Sequence, residues 1–272
     1  MSYTVRKKAI RRFSQLALVA IGIYIMIGSA LYFLQEKFLF RPSVLPQEHV
    51  YQFSYDFEEL FLNTSEDAVI NALHFRVVRP QGVLLYFHGN AGDLQRWGEV
   101  CEFFVAMDYD VLVMDYRGYG KSKGPLSETA LYNDGQKCYN YLLQRYAEED
   151  ISIYGRSLGA AVASKIAAAN QPKRLIMESP FYSVADVAQE RFPLFPVKKL
   201  LRYQLPNFEH VKSVNCPITI FHGTDDFVVP YTSGEKLSRE RTTQFIAIEG
   251  GGHNDLITFE KYRTAIKELL KK

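Results

Sequence analysis

Apolar positions along most of the chain follow two alternating patterns. Short runs such as VLLYF and VLVMD are apolar at nearly every position, which is typical of strands covered on both faces in a parallel sheet. These runs predict eight strands, at residues 59–63, 69–78, 83–87, 111–115, 151–154, 174–177, 218–221 and 244–248. Longer stretches predict helices at residues 94–107, 128–146, 158–170, 232–239 and 256–270. This alternation predicts an α/β fold in which helices flank a mostly parallel, eight-stranded sheet.

A different pattern opens the chain, where residues 16–34 form an uncharged stretch of 19 residues with no polar face. As a helix rising about 1.5 Å per residue, this stretch would measure roughly 28 Å, close to the hydrocarbon thickness of a bilayer. We therefore predict a transmembrane helix, with the lipid bilayer as its partner, rather than a buried core helix.

The charges around this stretch predict its orientation. Five basic residues and no acidic residue precede it, and Lys37 and Arg41 follow it. The positive-inside rule then predicts a cytoplasmic N-terminus and a domain on the non-cytoplasmic side, which is the periplasm if the protein is bacterial. We expect an uncleaved signal-anchor, although the small residues Gly28, Ser29 and Ala30 leave a cleaved signal peptide as the alternative.

Composition suggests the remaining boundaries. Residues 1–15 are predicted to be a basic tail and residues 35–55, with their prolines, a stalk, which leaves residues 56–272 as one globular domain. Residues 181–215 interrupt the alternation within this domain and are rich in aromatic residues and proline. We expect this insertion to form a lid over an active site, the alternative being an ordinary long connection with one helix.

The charge balance disfavours one class of partner. The chain has 32 basic and 30 acidic residues, so without the five N-terminal basic residues the remainder has 27 against 30, a net charge of −3. We expect no nucleic-acid binding, because affinity for the phosphate backbone requires clustered Lys and Arg. Cys101, Cys138 and Cys216 lack metal-ligand spacing, and we interpret them as packing residues, with a disulfide between two of them left open.

The strongest chemical motif is GRSLG at residues 155–159, between the predicted strand ISIY and the predicted helix LGAAVASKIAAA. A serine at such a sharp strand-to-helix turn projects its hydroxyl above the sheet. The positive end of the helix dipole favours the negative charge that develops there. In this context Ser157 is predicted to be a nucleophile rather than a structural turn residue.

A serine nucleophile needs a base, and the base needs a carboxylate. His253 is the predicted base, because it lies in the loop GGGHND between the last strand and the last helix, where three glycines permit a close approach. Asp225 and Asp226 both follow the preceding strand, and Glu178 is a more remote alternative for the acid. For the oxyanion, we expect the backbone N–H groups of Leu158 and of Asn90, which follows the third predicted strand.

Five ordered motifs resemble the α/β-hydrolase superfamily, and within it the single-span, membrane-anchored serine hydrolases of the ABHD and Bem types. They are HGNAG at 88–92, DYRGYGKS at 115–122, GRSLG at 155–159, HGTDDFVVP at 222–230 and GGGHND at 250–255. In these families the acid stands at the position of Asp226, and the residue at the position of Asn90 gives the second oxyanion donor. The resemblance implies hydrolysis of esters or thioesters of small or acylated substrates, without a metal or cofactor.

Two other functions remain open. A membrane-anchored peptidase would use the same fold, and an acidic cluster for a free amine would favour it. A catalytically silent binding protein would be expected to lack one of Ser157, Asp226 and His253, all of which are present.

Overall fold

A computed structural model of the chain describes residues 3–271. Residues 1 and 2 and the side chains of residues 3–6 and 9, all in the predicted basic tail, lie outside the described residues, as does residue 272. Helix α1 (Tyr3–Phe33) opens the structure, and its part Ile10–Phe33 is long and apolar enough to cross a membrane. The predicted stretch at residues 16–34 falls almost wholly within it.

In the part of the chain that the structure describes, the main sheet has eight strands, and β1 (Arg41–Pro42) and β5 (Ala91–Gly92) form a separate pair. The strands of the main sheet are β2 (Phe57–Ser65), β3 (Ala68–Phe75), β4 (Val83–Phe87), β6 (Asp110–Met114), β7 (Ile151–Arg156), β8 (Arg174–Glu178), β9 (Ile218–Gly223) and β10 (Gln244–Ile248). Their spatial order is β10-β9-β8-β7-β4-β6-β3-β2. Pairing is parallel except at β2–β3 and β3–β6, so the first two of these strands form an antiparallel edge. This sheet confirms the predicted fold.

Helices cover both faces of the sheet and bury its central strands. They are α3 (Leu94–Val105), α4 (Glu128–Leu143), α5 (Leu158–Ala169), α9 (Tyr231–Ser238) and α10 (Glu260–Lys271). All five residues of β4 are buried, because α4 and α5 pack on one face and α3 and α10 contribute to the apolar core on the other. The predicted last helix at 256–270 is interrupted, since a 3₁₀ turn at Leu256–Thr258 precedes α10.

Residues 35–55, where the sequence suggests a stalk, lie against the domain. They form α2 (Gln35–Leu39) and β1 (Arg41–Pro42), and β1 pairs in parallel with β5 (Ala91–Gly92). Phe40 and Tyr51 are buried, so apolar burial holds this segment in place.

The insertion at residues 181–215 contains three short helices, α6 (Val184–Arg191), α7 (Val197–Leu200) and α8 (Asn207–Ser213). Helix α8 packs on α5, and α7 contacts α1. The insertion therefore connects the domain to the N-terminal helix.

Candidate active site

Ser157 lies at the sharp turn between β7 and α5, with φ = 51° and ψ = −112°. This left-handed region is uncommon for a residue with a side chain, and it is typical of a nucleophile elbow. A Cβ on Gly155 would lie 2.5 Å from the Cβ of Ala163, and one on Gly159 would lie 2.0 Å from the carbonyl oxygen of Phe87. Both glycines of the GRSLG motif are therefore required by close packing around the serine.

The structure brings His253 between Ser157 and Asp226. The Nε2 atom of His253 lies 3.0 Å from Ser157 Oγ, and its Nδ1 atom lies 2.7 Å from Asp226 Oδ2. Both distances are within hydrogen-bonding range. This connected arrangement of hydroxyl, imidazole and carboxylate can move a proton from the serine to the histidine.

Asp226 is buried at the start of the loop after β9, whereas Asp225 is exposed. The Oδ1 atom of Asp226 accepts hydrogen bonds from the backbone N–H groups of Val228 and Val229, at 2.9 and 2.8 Å. Burial alone would raise the pKa of Asp226, but hydrogen bonds from His222, His253 and the backbone outweigh burial and hold that pKa well below its usual range. Asp226 is thus kept ionised beside the imidazole.

The loop that carries Asn90 lies next to the N-terminus of α5, because Gly159 packs directly on the backbone of Phe87 and His88. The Asn90 carbonyl accepts hydrogen bonds from the N–H of Arg41 and the hydroxyl of Tyr119. Among the hydrogen bonds of the described residues, none uses the N–H of Asn90 or of Leu158 as donor. Neither N–H group therefore has a described acceptor within the chain.

The loop with the sequence DYRGYGKS, at residues 115–122, packs against the loop of Asn90 and supports it. Tyr116 donates a hydrogen bond to the carbonyl of His88, and Asp115 lies 3.2 Å from Nε2 of His88, with both side chains fully buried. Burial raises the pKa of Asp115. Arg117 instead forms a bidentate pair with Asp134, at 2.7 and 2.8 Å, which is a structural contact.

Among residues 3–271, no cluster of three or more His, Cys, Asp or Glu side chains has the arrangement of a metal site. Cys101, Cys138 and Cys216 are buried and unbridged. Burial raises the pKa of the Cys101 and Cys138 thiols, and it raises that of Cys216 to about 11. Buried thiols of this kind are packing groups rather than nucleophiles.

The sequence is similar to a known protein family and to several known proteins. Residues 78–209 match the family described as Hydrolase_4, serine aminopeptidase S33. An uncharacterized protein of Mycobacterium tuberculosis is 30% identical over 245 residues, 88% of this chain and 86% of that protein. The human alpha/beta hydrolase domain-containing protein 17B is 32% identical over 196 residues, 69% of this chain and 65% of that protein. The chain belongs to the α/β-hydrolase superfamily.

A solved structure agrees with this assignment. An esterase from Pyrococcus furiosus superposes on the hydrolase with a TM-score of 0.66 at 16% identity, covering 85% of this chain and 98% of the esterase. At this identity the likeness shows the fold alone. The match to protein 17B confirms the expected kinship with ABHD-type proteins, and the family supports hydrolysis as the class of activity.

Sequence reasoning missed a buried network beneath the site of the hydrolase. Arg156, inside the GRSLG motif, donates from Nη2 to the carbonyl of His253 and to Oδ1 of Asn254, both at 3.1 Å. Its Nε faces Glu178 at 3.2 Å, and Glu178 also accepts hydrogen bonds from Tyr154 and Tyr262. Glu178 is therefore committed to this network, and it makes no described contact with His253.

His222 supports the loop of Asp226, since its Nε2 lies 3.3 Å from Asp226 Oδ2 and 3.0 Å from the carbonyl of Val229. The pattern HGTDDFVVP gives the only sequence signal, since it places His222 four residues before Asp226. His222 is fully buried in β9, and its contacts with Asp226 and Val229 hold the loop of Asp226 against this strand.

Proposed function

We propose that the chain is a serine hydrolase that cleaves carboxylic esters or thioesters, with Ser157 as nucleophile, His253 as base and Asp226 as acid. The observation that carries this proposal is the continuous hydrogen-bonded series Ser157 Oγ, His253 Nε2, His253 Nδ1 and Asp226 Oδ2. Such a series activates a hydroxyl that is otherwise a weak nucleophile at neutral pH.

In the proposed reaction, Ser157 Oγ attacks the acyl carbonyl carbon while His253 Nε2 takes its proton. The oxyanion of the tetrahedral intermediate is stabilised by the N–H groups of Leu158 and Asn90 and by the N-terminus of α5. His253 then gives the proton to the leaving alcohol or thiol, which departs and leaves an acyl-enzyme. A water molecule, deprotonated by His253, releases the acid and restores the serine. Asp226 stabilises the imidazolium in both steps.

We further propose that α1 anchors this hydrolase as a single uncleaved span. The apolar length of Ile10–Phe33 supports the span, and the basic residues before it support a cytoplasmic N-terminus with the domain on the other side. Protease added to the non-cytoplasmic side of the membrane, in spheroplasts or sealed right-side-out vesicles, should then degrade the domain and spare a tag placed at the N-terminus. Protection of the domain in this experiment would reverse the proposed orientation.

Labelling with a fluorophosphonate probe tests the nucleophile. We expect the wild type to be labelled, Ser157→Ala to be unlabelled, and both to unfold at similar temperatures. Asp226→Asn should lower kcat on p-nitrophenyl esters by about 10⁴-fold, because an amide favours the wrong imidazole tautomer. Asp225→Asn is the matched control, since this exposed neighbour makes no described contact with His253, and it should keep near wild-type activity.

A peptidase is the second candidate, because the matching family is described as a serine aminopeptidase. Turnover of aminoacyl p-nitroanilides that exceeds turnover of the esters would favour the peptidase over the esterase. A folded wild type that is not labelled and turns over neither substrate would instead support a silent binding protein.

A further inference from the structure

Helix α1 is joined to the insertion by specific contacts. The ring of Tyr24 stacks on that of Phe195, with centroids 4.5 Å apart and planes 8° apart. The hydroxyl of Tyr24 donates to the carbonyl of Leu194 at 3.1 Å, and Gly28 also faces the Phe195 ring. A hydroxyl inside a membrane span needs an acceptor, and the insertion supplies it.

The position of Tyr24 along α1 gives the depth at which this contact would lie in a bilayer. The span Ile10–Phe33 has 24 residues and is about 36 Å long, against a hydrocarbon thickness of about 30 Å. Tyr24 precedes Phe33 by nine residues, or about 13 Å. Even if the whole excess of about 6 Å protruded beyond the C-terminal end, Tyr24 would lie about 7 Å inside the hydrocarbon. Phe195, stacked on Tyr24, lies at the same depth.

The insertion leaves this depth as it runs along α1 toward the surface. Gln35, just beyond the span, donates a hydrogen bond to the carbonyl of Leu200 and accepts one from the N–H of Arg202. Arg202 also pairs with Glu36 at 3.1 Å. Residues 194–202 therefore extend from the level of Tyr24 to the end of the helix.

The deepest segment, FPLFPV at residues 192–197, is suited to hydrocarbon, and we name it the apolar loop. The apolar loop carries no charge. Its apolar side chains are nevertheless not all buried, because Leu194 is 81% exposed and Phe192 is 36% exposed. Two of its six residues are prolines without an N–H, and the N–H groups of Phe192, Phe195 and Val197 donate to carbonyls of the chain. Only Leu194 keeps an N–H without a described acceptor, so little backbone polarity would face lipid.

Exposed basic residues flank the apolar loop on both sides. Arg191 precedes it, and Lys198 and Lys199 follow it. Long basic side chains beside an apolar segment extend to the lipid headgroups while the segment itself is buried.

The apolar loop also lies close to the candidate site. Arg191 donates a hydrogen bond to the carbonyl of Val228, two residues from Asp226, and the neighbouring Phe227 is 90% exposed. On the other side, the Nδ2 group of Asn90 donates to the carbonyl of Leu39, six residues beyond the end of α1. The edge of the site is thus attached to both the loop and the end of the span.

From these contacts we infer that the apolar loop inserts into the leaflet that surrounds the C-terminal half of α1, and that the site takes acyl chains from that leaflet. The second part rests on the proposed hydrolase function and on α1 as its anchor. The lipid leaflet is the occupant that fits, because the exposed apolar side chains continue the surface of the span and carry basic groups at headgroup level.

Quenching by brominated lipids tests insertion of the loop in the full-length protein. Trp97, the single tryptophan of the chain, is buried, so Leu194→Trp adds a reporter at the exposed tip. In phosphatidylcholine vesicles with brominated acyl chains, L194W should lose more than half of its added emission. Val78→Trp is the control, because Val78 is 98% exposed and precedes β4 at the amino ends of the parallel strands, opposite the candidate site.

Equal quenching of L194W and V78W, quenching of neither, or failure of the full-length protein to remain with the vesicles would overturn the inference. If L194W unfolds at a lower temperature than the wild type, Phe192→Trp repeats the measurement two residues away.

A second experiment tests delivery of substrate. Leu194→Asp should lower turnover of a long-chain ester held in vesicles by at least about tenfold, because a carboxylate resists burial in hydrocarbon, and leave turnover of a soluble short-chain ester unchanged. Val78→Asp should change neither. An equal loss of L194D activity on both esters would contradict delivery from the leaflet. If the wild type hydrolyses neither ester, the proposed function fails, and the quenching result alone decides whether the loop inserts.

Discussion

At the scale of single residues, Arg156 has the most informative environment in the site. Three glycines precede His253, so the chain there has little intrinsic rigidity. Arg156 compensates by binding the backbone carbonyl of His253, while Glu178 and the ring of Trp97, 5.3 Å from the guanidinium, hold Arg156 itself. We regard Arg156 as a positioning residue that fixes the imidazole over Ser157.

Arg156→Lys should therefore lower kcat on a short ester by about 10- to 100-fold with little change in KM, because a lysine keeps the charge near Glu178 but cannot bind both partners in the His253 loop. Steady-state kinetics and thermal unfolding check this. Arg117→Lys is the control, since that arginine is similarly buried and forms a bidentate pair with Asp134, away from the His253 loop. If both variants lost kcat in proportion to stability, Arg156 would have only a structural role.

The sequence indicates some of these residues and not others for a physical reason. Ser157 and His253 stand in local patterns that reflect a turn and a glycine-rich loop, so the sequence predicts them without a fold. The role of Arg156 depends on residue 253 being brought beside it by the sheet, 97 residues along the chain. No local pattern contains that information.

At the scale of elements, the buried strands could be predicted because both of their faces are apolar. Strand β4 and strand β10 have the predicted bounds, and most other elements differ by one to three residues at an end. The packing of residues 35–55 could not be foreseen, because a two-residue strand paired with Ala91–Gly92 leaves no periodicity. Composition alone suggests an extended stalk there.

The contact between β3 and the end of α4 gives a prediction about acid stability. His74 is fully buried, and its Nε2 must donate to Tyr146, whose own proton goes to Asp110 at 2.6 Å. Its Nδ1 then accepts from Tyr141. Burial and the nearby charges of Arg76 and Arg145 lower the pKa of His74 to about 3.

In the unfolded chain a histidine gains its proton near pH 6.5, so the contribution of His74 to folding stability is fully present above that value and is lost as pH drops toward 3. The loss due to His74 should approach about 1.4 kcal/mol per pH unit. His74→Gln should lower stability at pH 7 and flatten its decline between pH 6 and 4, as measured by urea unfolding. A decline as steep as that of the wild type would contradict this account.

At the scale of the whole molecule, helix α1, the insertion and the candidate site form one connected body. Helix α1 contacts the insertion at Phe195, the segment after it pairs with the loop of Asn90, and the insertion contacts the loop of Asp226. A domain merely tethered by a flexible stalk would show none of these contacts. The molecule is better described as a hydrolase fold in which residues 35–55, which follow the apolar helix α1, form part of the edge of the candidate site.

Two truncations test this description. A chain that begins at Gln35 keeps β1 and the buried Phe40 and Tyr51, and should fold and turn over a soluble short ester. A chain that begins at Asp56 loses both aromatic side chains, each worth about 3 to 5 kcal/mol, against a total stability of about 5 to 15 kcal/mol. It should be largely unfolded by circular dichroism and should not react with a fluorophosphonate probe. If instead both truncations were equally stable and active, residues 35–55 would be a dispensable stalk that contributes nothing to the candidate site.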